Sequence, residues 1–210
     1  IVNPFGIGDV LFSTPLVRAV RRSFPDAYLA YLCNRRTEEI LRRNEHLDEL
    51  FIYEKDELIA LWKQRKWSAI AAVASLLSAI RHRRVDLAID LSLGERYSFF
   101  LGLLGVPRRI GFDFRRRGRF LTHRLVMDGY RDRHVVEHYA QLLRHLGIFL
   151  RDPHLELPVN EADRRVARRT GTPERPPRRR DDGVEGGERG VGLGHRRPQL
   201  RERIEIEAHA

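Results

Sequence analysis

The sequence has little cysteine, little lysine and no long apolar run, and each shortage removes a class of protein. One cysteine, Cys33, in 210 residues excludes an intrachain disulfide and a multi-cysteine metal site. No charged start followed by an apolar run marks a secretory signal. The most apolar stretch, Ala69 to Ile80, covers about a dozen residues, short of the roughly 20 that a membrane-crossing helix needs. These absences predict a soluble, cytoplasmic protein. Aromatic residues cease at Phe149, and only three of the 39 cationic side chains are lysines.

What is present is strongly basic, with a formal net charge of +10 and a pI near 10.5. Residues 1–150 hold 25 Lys and Arg against 17 Asp and Glu, a net of +8, so the charge belongs to the folded part as well as the tail. Such a balance suits a nucleic acid, an anionic membrane surface or a phosphorylated substrate. Arginine in place of lysine also fits a GC-rich coding sequence.

The chain opens on Ile1-Val2-Asn3, which reads as the end of a strand whose start is missing. Helical and strand patterns then alternate. A glycine turn, Pro4-Phe5-Gly6-Ile7-Gly8, leads to Asp9 at an expected helix N-cap, and the helix is predicted over 10–24. Strands are expected over 27–33, 49–53, 85–91 and 109–112, and helices over 37–43, 56–84, 96–104 and 134–146. Strands alternating with helices predict an α/β fold, a parallel sheet with helices on both faces. Residues 1–160 form this domain, and Pro153 to Pro158 looks like its exit. Residues 161–210 begin an interdomain region. From Gly171 onward Arg, Gly, Pro and Glu dominate without periodicity, which reads as a disordered linker or a misread coding segment.

The first turn is the strongest candidate site. A tight turn between strand and helix lies at the carboxyl edge of a parallel sheet, where α/β folds bind ligands. Gly6-Ile7-Gly8-Asp9 lacks the third glycine of a dinucleotide fingerprint, and no Gly-Lys-Ser/Thr follows to make a phosphate loop. A carboxylate at this place repels an anion but suits a hydroxyl that must lose a proton. Asp9 therefore reads as a general base or as a helix cap, and the two roles are compatible.

Gly8-Asp9-Val10-Leu11-Phe12-Ser13-Thr14-Pro15, followed by Leu16 to Pro25, resembles the opening of glycosyltransferase family 9, the ADP-heptose:lipopolysaccharide heptosyltransferases and their relatives. Further matching segments follow in order: His46-Leu47-Asp48-Glu49, Val85 to Leu91, Pro107 to Phe112, and His134 to Tyr139. The resemblance covers about residues 1–160. It implies the N-terminal, acceptor-binding Rossmann-like domain of a GT-B enzyme that is inverting and needs no metal or other cofactor. Asp9 is then the base that deprotonates the acceptor hydroxyl, with Gly8, Ser13 and Thr14 beside the acceptor. The nucleotide-sugar donor, such as ADP-heptose, is a co-substrate held mostly by the C-terminal half. Nothing after Gly171 resembles that half, so this polypeptide alone is not expected to transfer sugar. The implied acceptor is a glycolipid of the lipid A-core type.

Two basic clusters remain. Trp62-Lys63-Gln64-Arg65-Lys66-Trp67 has the composition of a membrane-interface segment, which fits a protein peripheral to the inner face of the inner membrane. Its other reading is a solvated helix face with both tryptophans packed on the domain. Arg115 to Arg119 can grip an anionic acceptor: the family likeness implies that this stretch borders the acceptor cleft and that a basic residue there contacts the sugar, without saying which, and Arg116, Arg117 and Arg119 are the candidates; a flexible solvated loop is the alternative. His134, Glu137 and His138 fit the letters of an inverted zincin motif, but no third ligand is evident. A rival of another class is a non-catalytic basic module that binds nucleic acid or other anions through its arginines.

Overall fold

The computed structural model describes residues 1–64, 66–129, 133–159 and 161–169. Alternation within the strands decides its architecture. In β1 (Ala30–Cys33), Tyr31 and Cys33 enter one apolar cluster, while Ala30 and Leu32 enter another on the opposite side. Leu87 and Ile89 of β3 (Leu87–Asp90) side with the first cluster and Ala88 with the second. A strand feeding both sides must be covered on both, as in a parallel sheet between helices.

The pairings confirm this. β1 runs parallel to β2 (Glu49–Ile52), β3 to β4 (Arg108–Phe114), and β4 to β5 (His123–Met127). Val2 joins the two sets through parallel bridges to Leu32 and Asp90, with Val2 N donating to the Ile89 carbonyl at 2.8 Å and Leu91 N to the Val2 carbonyl at 2.9 Å. The spatial order is β2, β1, residues 1–3, β3, β4, β5. Consecutive strands step outward in opposite directions from residues 1–3, so the topological switch point lies between Asn3 and the end of β3.

One face carries α1 (Ile7–Phe12), α2 (Thr14–Ser23), α3 (Glu38–Leu41) and α7 (Val135–Arg144), packed around Val10, Leu16, Val17, Leu142 and Leu143. The other carries α5 (Lys66–His82), which follows α4 (Lys55–Gln64), and α6 (Glu95–Leu103). Among the described residues the first cluster has 21 buried members and the second seven, so one side of the sheet is the more thinly packed.

Several expected boundaries change for visible reasons. The helix expected over 10–24 is two helices that meet at Ser13. Pro15 lies in the first turn of α2, where its missing N–H costs nothing. The expected helix over 37–43 is a 3-10 turn at Arg35–Thr37 plus α3, with the Asn34 side chain accepting from Thr37 N at 3.1 Å. β5 was not anticipated. His123, Arg124 and Val126 are exposed on this outer strand, so its apolar alternation is faint in the sequence. The expected exit at Pro153–Pro158 is docked rather than free. The buried Arg18 guanidinium bonds the Asp152 and His154 carbonyls at 2.8 and 2.9 Å, pairs with Glu156, and meets the Asp152 carboxylate at 3.3 Å. After residue 160 the chain forms α8 (Glu161–Arg169), which is joined to Arg43 through Asp163 at 3.1 Å. The Arg/Gly-rich tail lies outside the described residues.

Candidate active site

All carboxyl ends of a parallel sheet share one edge, and here that edge gathers the turns after Asn3, Cys33, Ile52, Asp90 and Phe114. Beside the switch point the turn over residues 4–8 is fixed by two asparagines. Buried Asn3 donates its side-chain amide to the Asp9 carbonyl at 3.2 Å and accepts from Phe5 N at 3.3 Å. Asn34, at the end of β1, donates to the Phe5 carbonyl at 2.6 Å and to the Pro4 carbonyl at 3.2 Å. Neither asparagine stood out in the sequence. Both follow strands directly, and that position was the available signal.

The glycines of this turn do a different job from the one anticipated. Neither Gly6 nor Gly8 has a positive φ. Beyond its neighbours along the chain and the backbone of its own helix, a Cβ at Gly6 or Gly8 would meet nothing closer than 3.9 Å. The asparagines close the turn, and the glycines keep the surface beside Asp9 low. Asp9 is not the N-cap. Gly6 occupies that place, with Val10 N donating to its carbonyl at 3.1 Å, and Asp9 stands in the first turn of α1, half-buried. There its charge faces the positive end of the helix dipole. Among the described residues its carboxylate makes no hydrogen bond or ion pair.

Gly8 is exposed next to Asp9, but Ser13 and Thr14 are fully buried. The Ser13 hydroxyl lies 2.6 Å from the Tyr31 hydroxyl and 2.7 Å from the Val10 carbonyl. Thr14 Oγ1 donates to the Leu11 carbonyl at 2.8 Å and accepts from Glu156 N at 2.9 Å. Both hydroxyls are engaged internally: Ser13 fixes the α1–α2 junction to β1, and Thr14 holds the returning 152–156 segment. Burial raises the Tyr31 phenol well above its ordinary range, so it stays a neutral partner. Cys33 is likewise buried and its thiol pushed up to about 11, which leaves it inert.

The arginine cluster is a tight turn rather than a loose loop. Arg115 and Arg116 have φ of 52° and 60°, and Arg117 N closes the turn onto the Phe114 carbonyl at 3.1 Å. Two consecutive left-handed residues make a mirrored turn that favours Asn or Gly, so two arginines here carry backbone strain. Gly118 is required next to them, because a Cβ would come within 2.9 Å of the Asp113 Cβ. Gly118 N donates to Asp113 Oδ1 at 2.8 Å. The turn thereby presents Arg115, Arg116 and Arg117 to solvent. Arg119 leaves in another direction, pairing with Glu95 at 2.9 Å and lying over the Phe120 ring.

At the end of β3, buried Asp90 accepts from Ser92 N at 2.9 Å through one oxygen, while its other oxygen has no partner. Burial raises its carboxyl to about 6, against the opposing hydrogen bonds from Ser92. The histidine pair does not converge. His134 caps α7, accepting from Val136 N at 3.3 Å, and its ring meets Phe12 edge-on at 5.0 Å. His138 instead turns its ring toward Phe112 at 6.3 Å. Among the described residues no three His, Cys, Asp or Glu side chains gather as a metal site.

Trp67 is 83% exposed and Trp62 49%, so neither tryptophan is buried in the domain, and Lys63 and Lys66 are exposed beside them. Arg65 lies outside the described residues. No helix among the described residues is long and apolar enough to cross a membrane.

No family model matches the chain. It is 25% identical over 146 residues to lipopolysaccharide heptosyltransferase 3 of Escherichia coli, and 26% to the strain K12 protein of that name. Each match covers 67% of this chain and 40% of the relative, so the chain spans well under half the length of these curated relatives. Among solved structures it resembles a glycosyl transferase family 9 protein from Veillonella parvula DSM 2008 with a TM-score of 0.63 and 21% identity, over 80% of this chain and 47% of that one. ADP-heptose lps heptosyltransferase II of E. coli matches with a TM-score of 0.59 and 19% identity, over 81% of this chain and 49% of that one. The chain is thus distantly similar to the family 9 heptosyltransferases in their N-terminal region, and it has the fold of about half of such a protein.

Proposed function

We propose that this chain is the acceptor-binding half of an inverting, metal-independent sugar transferase, with Asp9 as the base that takes the proton from the acceptor hydroxyl. The observation that carries the reading is the Asp9 carboxylate itself. It stands half-buried at the carboxyl edge beside the switch point and is engaged by no described side chain, while its backbone is held by Asn3. The low glycine surface next to it admits a sugar close to the carboxylate. The hydroxyl oxygen attacks the anomeric carbon of a nucleotide sugar, the carbon–phosphate oxygen bond breaks, and the hydroxyl proton passes to Asp9. The nucleotide leaves with the bonding pair.

The named relatives are lipopolysaccharide heptosyltransferases, which supports an anionic core glycolipid as acceptor and ADP-heptose as donor. Arg116 and Arg117, held outward by the strained turn, fit phosphate or carboxylate groups of such an acceptor. The exposed Trp62, Lys63, Lys66 and Trp67 fit an anionic bilayer surface, which supports a peripheral position on the cytoplasmic face of the inner membrane. Donor binding falls to the part of its relatives' length that this chain does not span. The testing experiment compares Asp9→Asn with the unaltered residue in a complete two-domain protein carrying this half, supplied with ADP-heptose and core glycolipid.

A further inference from the structure

The thinly packed side of the sheet encloses a cavity of about 590 Å³. Its buried floor is Val2, Leu32, Ile80 and Leu101, and Val73, Leu76 and Leu77 of α5 make one wall. Tyr53 and Tyr97 meet edge-on at 5.8 Å within the lining, and burial lifts the Tyr97 phenol to about 12. The Tyr97 phenol is neutral at working pH, and among the described residues the charged groups of the lining are Arg36, Glu54 and Arg96, of which the two arginines are exposed. The volume is that of a small-ligand pocket. Its lining is mostly apolar, with polar groups gathered at Asn34, Tyr53, Ser92 and Tyr97 beside the charged residues, so an apolar chain with a polar head suits it better than a sugar alone.

We infer that this cavity is a binding site for an acyl chain of the anionic glycolipid acceptor, its head group lying toward Arg36 and Arg96. The inference rests on the glycolipid reading above, and three observations select this occupant. Among the described residues the rim carries two cations, Arg36 and Arg96, against one anion, Glu54, which complements an anionic head. Pro4 and Phe5 line the cavity and lead directly into the Asp9 turn, so a chain seated here leaves its head group at the catalytic edge. The α5 wall begins at Lys66 and Trp67, both exposed, so the wall that closes the cavity is the element best suited to meet a bilayer. The cavity is separate from the polar surface beside Asp9 and adds an apolar subsite to it.

The test is calorimetric titration of the 210-residue chain with alkyl phosphates of eight to twelve carbons below their aggregation concentrations. Inorganic phosphate and dodecyl maltoside serve as comparison probes. Saturable binding of one alkyl phosphate per chain is expected, tightening about fourfold for each added methylene. Val73→Trp, which fills the wall, should weaken it at least tenfold, and Arg96→Gln should weaken the phosphate series but not the maltoside. Leu77→Gln serves as a second wall variant if Val73→Trp melts early. Binding unchanged in both wall variants, equal binding of inorganic phosphate, or unsaturable association would overturn the inference. The readout is independent of sugar transfer. A failed titration leaves the role of Asp9 standing, and an active Asp9→Asn protein with an intact alkyl phosphate site leaves the cavity assignment standing.

Discussion

The side-chain amide of Asn3 donates to the main-chain carbonyl of Asp9 at 3.2 Å, so a buried residue at the end of the first strand sets where the carboxylate stands. Replacing Asn3 with Leu keeps the volume, removes two hydrogen bonds and leaves the Phe5 N–H without its partner. The expected cost is about 1–3 kcal/mol of stability. Urea unfolding of Asn3→Leu beside the wild type measures it, and a midpoint unchanged would show that the turn does not depend on the clamp.

Arg18 ties α2 to the segment over 152–156 through two carbonyls and two carboxylates. Its side chain is 5% exposed, while the carboxylates of Asp152 and Glu156 are each about a third exposed, so water can reach them once the cation is gone. Arg18→Met should therefore cost about 1.5–3 kcal/mol, the scale of a hydrogen bond to a charged group, rather than the larger cost of a stranded buried charge. Proteolysis should move with it, with new cleavage near residues 150–158. A variant as protease-resistant as the wild type would contradict the docked exit.

Stability should fall as pH rises from about 4 to about 6, because folded Asp90 holds its proton to about 6 while the unfolded carboxyl releases it near 3.8. Over that window the native state binds the extra proton, so the slope is negative. The loss amounts to roughly 2–3 kcal/mol by pH 7. Comparing Asp90→Asn with wild type tests the carboxyl directly. The variant should lack the decline between pH 4 and 6, and parallel pH profiles would refute the buried-acid assignment.

Arg116 sits at φ 60° and is exposed. Arg116→Gly should relieve backbone strain, stabilising the fold by about 1 kcal/mol, while weakening affinity for an anionic acceptor. The opposed signs are the diagnostic feature, read by thermal melting and by acceptor KM. A glycine variant that is both less stable and equally tight would exclude strain held for binding.

How legible this was from the sequence depended on the kind of signal. The alternation of apolar strands and helices carried the fold, because a strand buried on both faces has no polar side to confuse it. β5 escaped because His123, Arg124 and Val126 are exposed on the outer edge and dilute that pattern. The Gly8-Asp9 turn was found by its spacing, but its mechanics were misread. The glycines suggested that they themselves make the turn tight, whereas Asn3 and Asn34 hold it by hydrogen bonds that no local pattern announces. Ser13 and Thr14 were expected beside the acceptor only through the family resemblance of the segment that carries them. Only the partners, Tyr31 and Glu156, distant in sequence, reveal that both are structural.

The most direct test of the account is turnover by a complete protein bearing this half, with ADP-heptose and core glycolipid, comparing Asp9→Asn with Asp9. The substitution keeps the shape of the side chain and removes its ability to accept a proton. The account predicts a kcat at least about 100-fold lower with acceptor KM little changed, in line with the contribution of a positioned base. Equal kcat in the two proteins would contradict it.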